Sequence, residues 1–85
     1  MSKLSDIDFV RLVKIINDII PFYFDAKINV HDGFIMVTLE FNDRGRNFEV
    51  RHMITKIDYE LYKSDFYKMF TMKVTDMSDE LEKVI

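Results

Sequence analysis

From Phe22 to Ile54 apolar and polar residues alternate in three runs separated by turn-forming residues. In the first run Phe22, Phe24, Ala26, Ile28 and Val30 alternate with Tyr23, Asp25, Lys27, Asn29 and His31. Period two predicts a strand from about Phe22 to His31 with one buried and one wetter face. Asp32-Gly33 then predicts a two-residue type I′ hairpin turn, which needs positive φ at both positions. A second strand is expected over Phe34–Asn42, with Ile35, Val37, Leu39 and Phe41 on one face. Asn42–Asn47 reads as a wider turn in which Gly45 takes the left-handed conformation. The third strand runs from there to Ile54.

Turn length sets the register. A two-residue first turn places Val30 opposite Ile35, Ile28 opposite Val37, Ala26 opposite Leu39 and Phe24 opposite Phe41. Pairing Asn42 with Asn47 places Phe41 opposite Phe48, Leu39 opposite Val50, Val37 opposite His52 and Ile35 opposite Ile54. Every inward residue meets another inward residue, and a one-residue slip would destroy that match.

Helical spacing flanks the strands. Phe9, Leu12, Val13, Ile16 and Ile20 recur on one face, opposite Arg11, Lys14 and Asp18. A helix over residues 5–20 follows, with Ser5 as its cap, Asp6 and Asp8 at the positive end of its dipole, and Pro21 as its stop. After Ile54 the period is mixed. Tyr59, Tyr62, Phe66 and Met69 fit a helix over 56–74, broken near Ser64-Asp65. The competing reading is a strand over Phe70–Thr75. Ser78-Asp79-Glu80 reads as the cap of a short last helix. The expected fold class is α+β: an N-terminal helix, a three-stranded antiparallel meander, then one or two C-terminal helices. Both main helices should lie on the inner sheet face. The expected core includes Leu12, Val13, Ile16, Phe24, Ile28, Val37, Leu39, Phe41, Phe48 and Val50.

Composition narrows the class. Eighty-five residues, 48% of them hydrophobic and eight of them Phe, predict a single globular domain over 1–85. A chain this short buries only about 60–65% of its unfolded surface. It has no cysteine, so neither disulfides nor thiolate metal sites assist it. No apolar run approaches the ~20 residues of a membrane span. The N-terminal stretch does not read as a signal peptide, and a cytoplasmic location is expected. The net charge of −3 is too small to imply a polyanion mimic. Residues 44–54, with Arg44, Arg46 and Arg51 against Glu49, form a basic island in a mildly acidic chain.

The sequence carries no catalytic signature, no metal-ligand spacing and no phosphate loop. No catalytic, cofactor-binding or metal-binding residue is assigned. Ser2, Ser5, Ser64 and Ser78 read as terminus or cap residues, not as nucleophiles held against a base. On the outer sheet face the register lines up Asp25, Glu40 and Glu49. Three carboxylates can hold a hard cation. The plainer reading is a solvated face with Lys27 and Arg51 offsetting the repulsion. His52 falls on the inner face, most simply as a core residue.

Farther along the outer face lie Phe34, Met36 and Met53. Apolar residues there need cover, from the C-terminal helices or from a partner. The leading expectation is a protein-binding module using Phe34, Met36 and Met53 with the Arg44–Arg46 hairpin. An alternative is an RNA-binding module using Lys27, Arg44, Arg46 and Arg51, with Tyr23 or Phe34 stacking on bases. The order of elements matches double-stranded-RNA-binding domains, but Thr55-Lys56-Ile57-Asp58-Tyr59-Glu60 stands where those carry a lysine-rich helix start. A third possibility is a homodimer through an exposed sheet edge. The acidic residues Asp76, Asp79, Glu80 and Glu82 read first as helix-capping charges and second as a contact for a basic partner.

One helix, three antiparallel strands and one or two further helices, in a cysteine-free chain of this length, resembles certain phage-encoded inhibitors of CRISPR nucleases. The Ile-, Lys-, Asp-, Phe- and Met-rich composition is similar to that of small early phage proteins that disable or redirect host machinery. The resemblance covers the whole chain as topology and implies inhibition by occluding a host surface. Inhibitors of this kind that mimic DNA are far more acidic, so mimicry is not implied, and no functional residue carries over.

Overall fold

The structure, a computed structural model, describes residues 7–85. Helix α1 spans Phe9–Ile19, strands β1, β2 and β3 span Asp25–His31, Phe34–Asp43 and Arg46–Thr55, and helices α2 and α3 span Lys56–Tyr62 and Phe66–Val84. One 3-10 turn, Lys63–Asp65, separates the last two. The sheet is antiparallel in the order β1-β2-β3. This is the α+β architecture the alternation and spacing predict.

α1 starts later than expected. Asp8 is its cap, and the Asp8 carboxylate accepts the Arg11 N–H at 3.2 Å. The expected Ser5 cap and Asp6 lie outside the described residues. The C-terminal boundary is as expected: Ile20 turns extended before Pro21, where the proline ring disfavours helical backbone. Leu12 and Ile16 are buried, but Val13 is 47% exposed and does not belong to the core. One residue on from Leu12, it is rotated about 100° around the helix. That turns it away from α3, against which α1 packs. The Asp8 N–H donates to the Tyr67 hydroxyl at 2.9 Å, and the Arg11 guanidinium lies 4.0 Å from the Tyr67 ring centre. These contacts join α1 to α3.

β1 also starts later than expected. Phe24 N–H donates to the Pro21 carbonyl at 3.0 Å, so Phe22 and Tyr23 form a turn instead of strand. Phe24 still reaches the core, and its ring meets Phe41 edge-on at 5.9 Å. All seven other expected inward pairs form, from Val30–Ile35 through Ile35–Ile54.

Both hairpins close on two-residue turns: Asp32-Gly33 as expected, and Arg44-Gly45 in place of the wider loop, with Gly45 left-handed as expected. Gly33 has φ +88°, but Asp32 is not at positive φ, so the first turn is not type I′. In the second hairpin the ladder continues to Asp43–Arg46, leaving only Arg44-Gly45 at the tip. Their φ values of +51° and +82° are those of a type I′ turn. The wide loop therefore closes into the tight one.

β3 passes directly into α2. Thr55 Oγ1 accepts the Asp58 N–H at 3.2 Å, and the Asp58 carboxylate accepts the Thr55 N–H at 2.9 Å. This reciprocal capping box is the local signal for helix at 56. Lys63, at φ 46° and ψ −112°, breaks the path near the expected place. α3 then runs unbroken to Val84, with no strand at Phe70–Thr75 and no separate last helix. Phe66, Phe70, Val74, Met77 and Leu81 form one buried stripe at steps of four and three. Thr71 and Thr75 are accommodated because their hydroxyls donate to the carbonyls of Tyr67 and Thr71. Ser78 is buried on this helix and caps nothing.

The core lies between the inner faces of β2 and β3 and the stripe of α3, with α1 against α3. Ile35, Val37, Leu39 and Ile54 meet it from the sheet. Ile28, Phe41, Phe48 and Val50, expected inside, are only partly buried along its margins. The molecule is elongated, 46 × 22 × 19 Å.

Candidate functional site

The outer sheet face is a series of cross-strand rows set by the register. His31, Phe34 and Thr55 form the row nearest the first turn, followed by Asn29, Met36 and Met53. Lys27, Thr38 and Arg51 come next, then Asp25, Glu40 and Glu49. The chain after Thr55 packs on the opposite face, where its helices meet the core. Phe34, Met36 and Met53 do not take part in that core.

These three residues therefore form the apolar end of a face that no described helix covers. Met53 is 46% exposed, while Phe34 and Met36 on the central strand are half-buried by their cross-strand neighbours. The His31 ring stacks on Phe34 with centres 4.5 Å apart and planes 15° from parallel. That stacking presents a flat, preorganised edge next to two flexible thioethers, which adapt to irregular apolar partners.

The expected site residues do not all converge. Arg44 and Arg46 sit at the far end of β2 and β3. Eight residues of strand separate Arg44 from Met36, about 26 Å at ~3.3 Å per residue. The apolar rows and the basic tip are two separate surfaces. Arg44 occupies the left-handed region, where a non-glycine side chain is strained.

The four cations of the RNA-binding alternative are divided in the same way. Lys27 Nζ lies 3.3 Å from Glu40, and the Arg51 guanidinium lies 2.9 Å from Glu49. Both are already engaged by carboxylates, whereas Arg44 and Arg46 are at the tip. Tyr23, considered for base stacking, contacts Phe22, Phe24 and Phe41 edge-on, and its hydroxyl donates to Glu82 at 3.5 Å.

The carboxylate row is present, but Lys27 and Arg51 neutralise two of its members. Among the described residues no group of three or more His, Asp or Glu is arranged to hold a metal ion. Asp76, Asp79, Glu80 and Glu82 lie exposed along α3, past its first turn, and do not cap a helix. His52 is half-buried on the inner face, as expected, and its pKa is lowered from the usual 6.5. Burial is the main cause, Lys73 adds to it, and Asp58 opposes it.

Two further surfaces were not legible in the alternation. A groove of about 340 Å³ opens on α3, lined by Tyr62, Asp65, Lys68, Met69 and Met72 among others, and Ile57 and Leu61 on α2 are largely exposed. A groove of about 210 Å³ separates α1 from β1, lined by Val13, Ile16, Asn17, Ala26 and Ile28. Ile57 and Leu61 fall in a stretch, 57–61, that alternates like a strand, and the spacing of Val13 places it with the core. No local spacing shows which side of a helix its neighbours leave open.

No protein-family model, curated protein or solved structure matches this chain. No helix among the described residues is long and apolar enough to cross a membrane.

Proposed function

We propose that the protein is a non-enzymatic binding module whose outer sheet face docks on another protein. The observation that carries this reading is the apolar end of that face. Phe34, Met36 and Met53 stand outside the core, and the chain's own helices lie on the other side. An uncovered apolar patch rimmed by polar residues is the usual mark of a protein contact. Met36 and Met53 supply adaptable apolar surface, and the charged rows beside them supply orientation.

A partner large enough to cover the sheet also reaches the Arg44–Arg46 tip, which acts as a second, electrostatic contact. The resemblance to small phage inhibitors supports a specific form of this role, occlusion of a host protein's working surface. Such an inhibitor acts in the cytoplasm, a reducing compartment that suits a cysteine-free chain.

The test compares the wild type with a Met36→Asp/Met53→Asp variant as baits in a bacterial lysate, with circular dichroism confirming the fold of both. Partners retained by the wild type and lost by the folded variant support the reading. Recovery of the same partners by both excludes the patch.

A further inference from the structure

We propose that two copies of this chain associate through their β1 edges, antiparallel about a two-fold axis at Ile28, to form a continuous six-stranded sheet. Among the described residues β1 pairs only with β2, so one row of its backbone hydrogen-bonding groups has no described strand beside it. Such an edge is a ready template for another strand.

β1 is also the least covered part of the inner face. Val30 points to that face yet is 59% exposed, and Ala26, on the same face beyond the partly buried Ile28, is also exposed. α1 does not close over them. It leaves the groove of about 210 Å³ between Val13 and Asn17 on one side and Ala26 and Ile28 on the other. Val10, one turn before Val13 on the same flank of α1, is 79% exposed. Each protomer therefore carries an unpaired edge together with an apolar strip that edge pairing would cover.

The residue pattern selects the second copy as the occupant. With the axis at Ile28 all seven residues of β1 pair. On the inner face Ile28 meets its own twin and Ala26 meets Val30. On the outer face Lys27 meets Asn29 and Asp25 meets His31. No like charges are opposed, and each acid faces an imidazole, an arrangement that favours cross-strand pairing. Moving the axis to Lys27 puts two ammonium groups opposite each other. Moving it to Asn29 sets Lys27 against His31 and leaves Asp25 unpaired. The other edge strand, β3, offers less open apolar surface, because α2 and α3 pack over its inner face and Ile54 is buried.

This association is independent of the outer-face patch, since the two copies extend one sheet and leave Phe34, Met36 and Met53 open. Sedimentation at low and high micromolar concentration is the first measurement. The wild type should double its mass from 10.2 kDa, and Val30→Glu, at an exposed position, should abolish the doubling while keeping the circular dichroism of the wild type. A wild type that stays at 10.2 kDa at both concentrations overturns the proposal. Register is read separately, because the chain has no cysteine of its own. A short thiol-specific crosslinker should join two copies of Ile28→Cys and not two copies of Arg51→Cys on the far edge. Crosslinking of Arg51→Cys without Ile28→Cys overturns the β1 interface even if a dimer forms. Loss of dimerisation in Met36→Asp/Met53→Asp would likewise place the interface elsewhere.

Discussion

Replacing Arg44 by asparagine isolates the second turn. Arg44 sits at φ +51° with Gly45 at φ +82°, so both central residues of the Asp43–Arg46 hairpin are left-handed. A side chain with a Cβ costs roughly 1–2 kcal/mol in that region, and asparagine is among the residues that tolerate it best. Asn-Gly is also the preferred type I′ pair. Arg44→Asn should recover part of the strain, about 0.5–1 kcal/mol. In a domain of this size that raises Tm by roughly 2–8 °C. Thermal unfolding followed by circular dichroism reads the shift. Gly45→Ala is the companion variant. A Cβ there meets nothing within 4 Å, so any loss comes from φ alone. It should cost about 1–2 kcal/mol. A lower Tm for Arg44→Asn, together with a neutral Gly45→Ala, would refute the type I′ assignment. Greater stability with weaker partner binding would mean that the strained arginine is kept for its contact.

Two further outcomes follow from the core and its margin. Leu39 is fully buried on the central strand between Ala26 and Val50, so Leu39→Ala should lose about 2–5 kcal/mol in urea unfolding. Near-unchanged denaturation would contradict the register. His52 carries a pH dependence of known sign. Burial and Lys73 lower its folded pKa below 6.5, so the unfolded chain takes up the proton first. Its stabilising contribution is complete above the unfolded pKa and is lost as pH falls through the folded value. Wild type should lose more stability than His52→Gln between about pH 7 and about pH 5, and a smaller loss would reverse the assignment.

The register of the sheet was legible in the chain because period-two alternation and turn length constrain the same pairs. Ala26–Leu39 and Leu39–Val50 follow from counting alone, and so do the outer rows that contain Phe34, Met36 and Met53. The turn types were not legible. Asp32-Gly33 is the better local candidate for type I′, yet the ladder closed to Asp43–Arg46 and forced that geometry on Arg44-Gly45. Cross-strand pairing along ten residues outweighs the propensity of one.

The C-terminal half depended on the same balance. Ser78-Asp79-Glu80 has the composition of a cap, but a buried stripe from Phe66 to Leu81 runs through it, and packing on the sheet keeps the helix whole. The N-terminal half shows the opposite limit. Helical spacing marked Val13 as apolar-face, but only the position of α3 decided that Leu12 and Ile16 would be covered and Val13 left beside a groove.

By itself, the sequence determined which residues share a face. Alternation and helical spacing are local, and they survive any arrangement of the elements. The tertiary structure alone decided which faces are covered, because burial depends on where distant segments come to rest. α2 and α3 settled on the inner face, so Met36 and Met53 remain open, the Arg44 tip stands about 26 Å away along β2, and β1 keeps an edge that no described strand pairs.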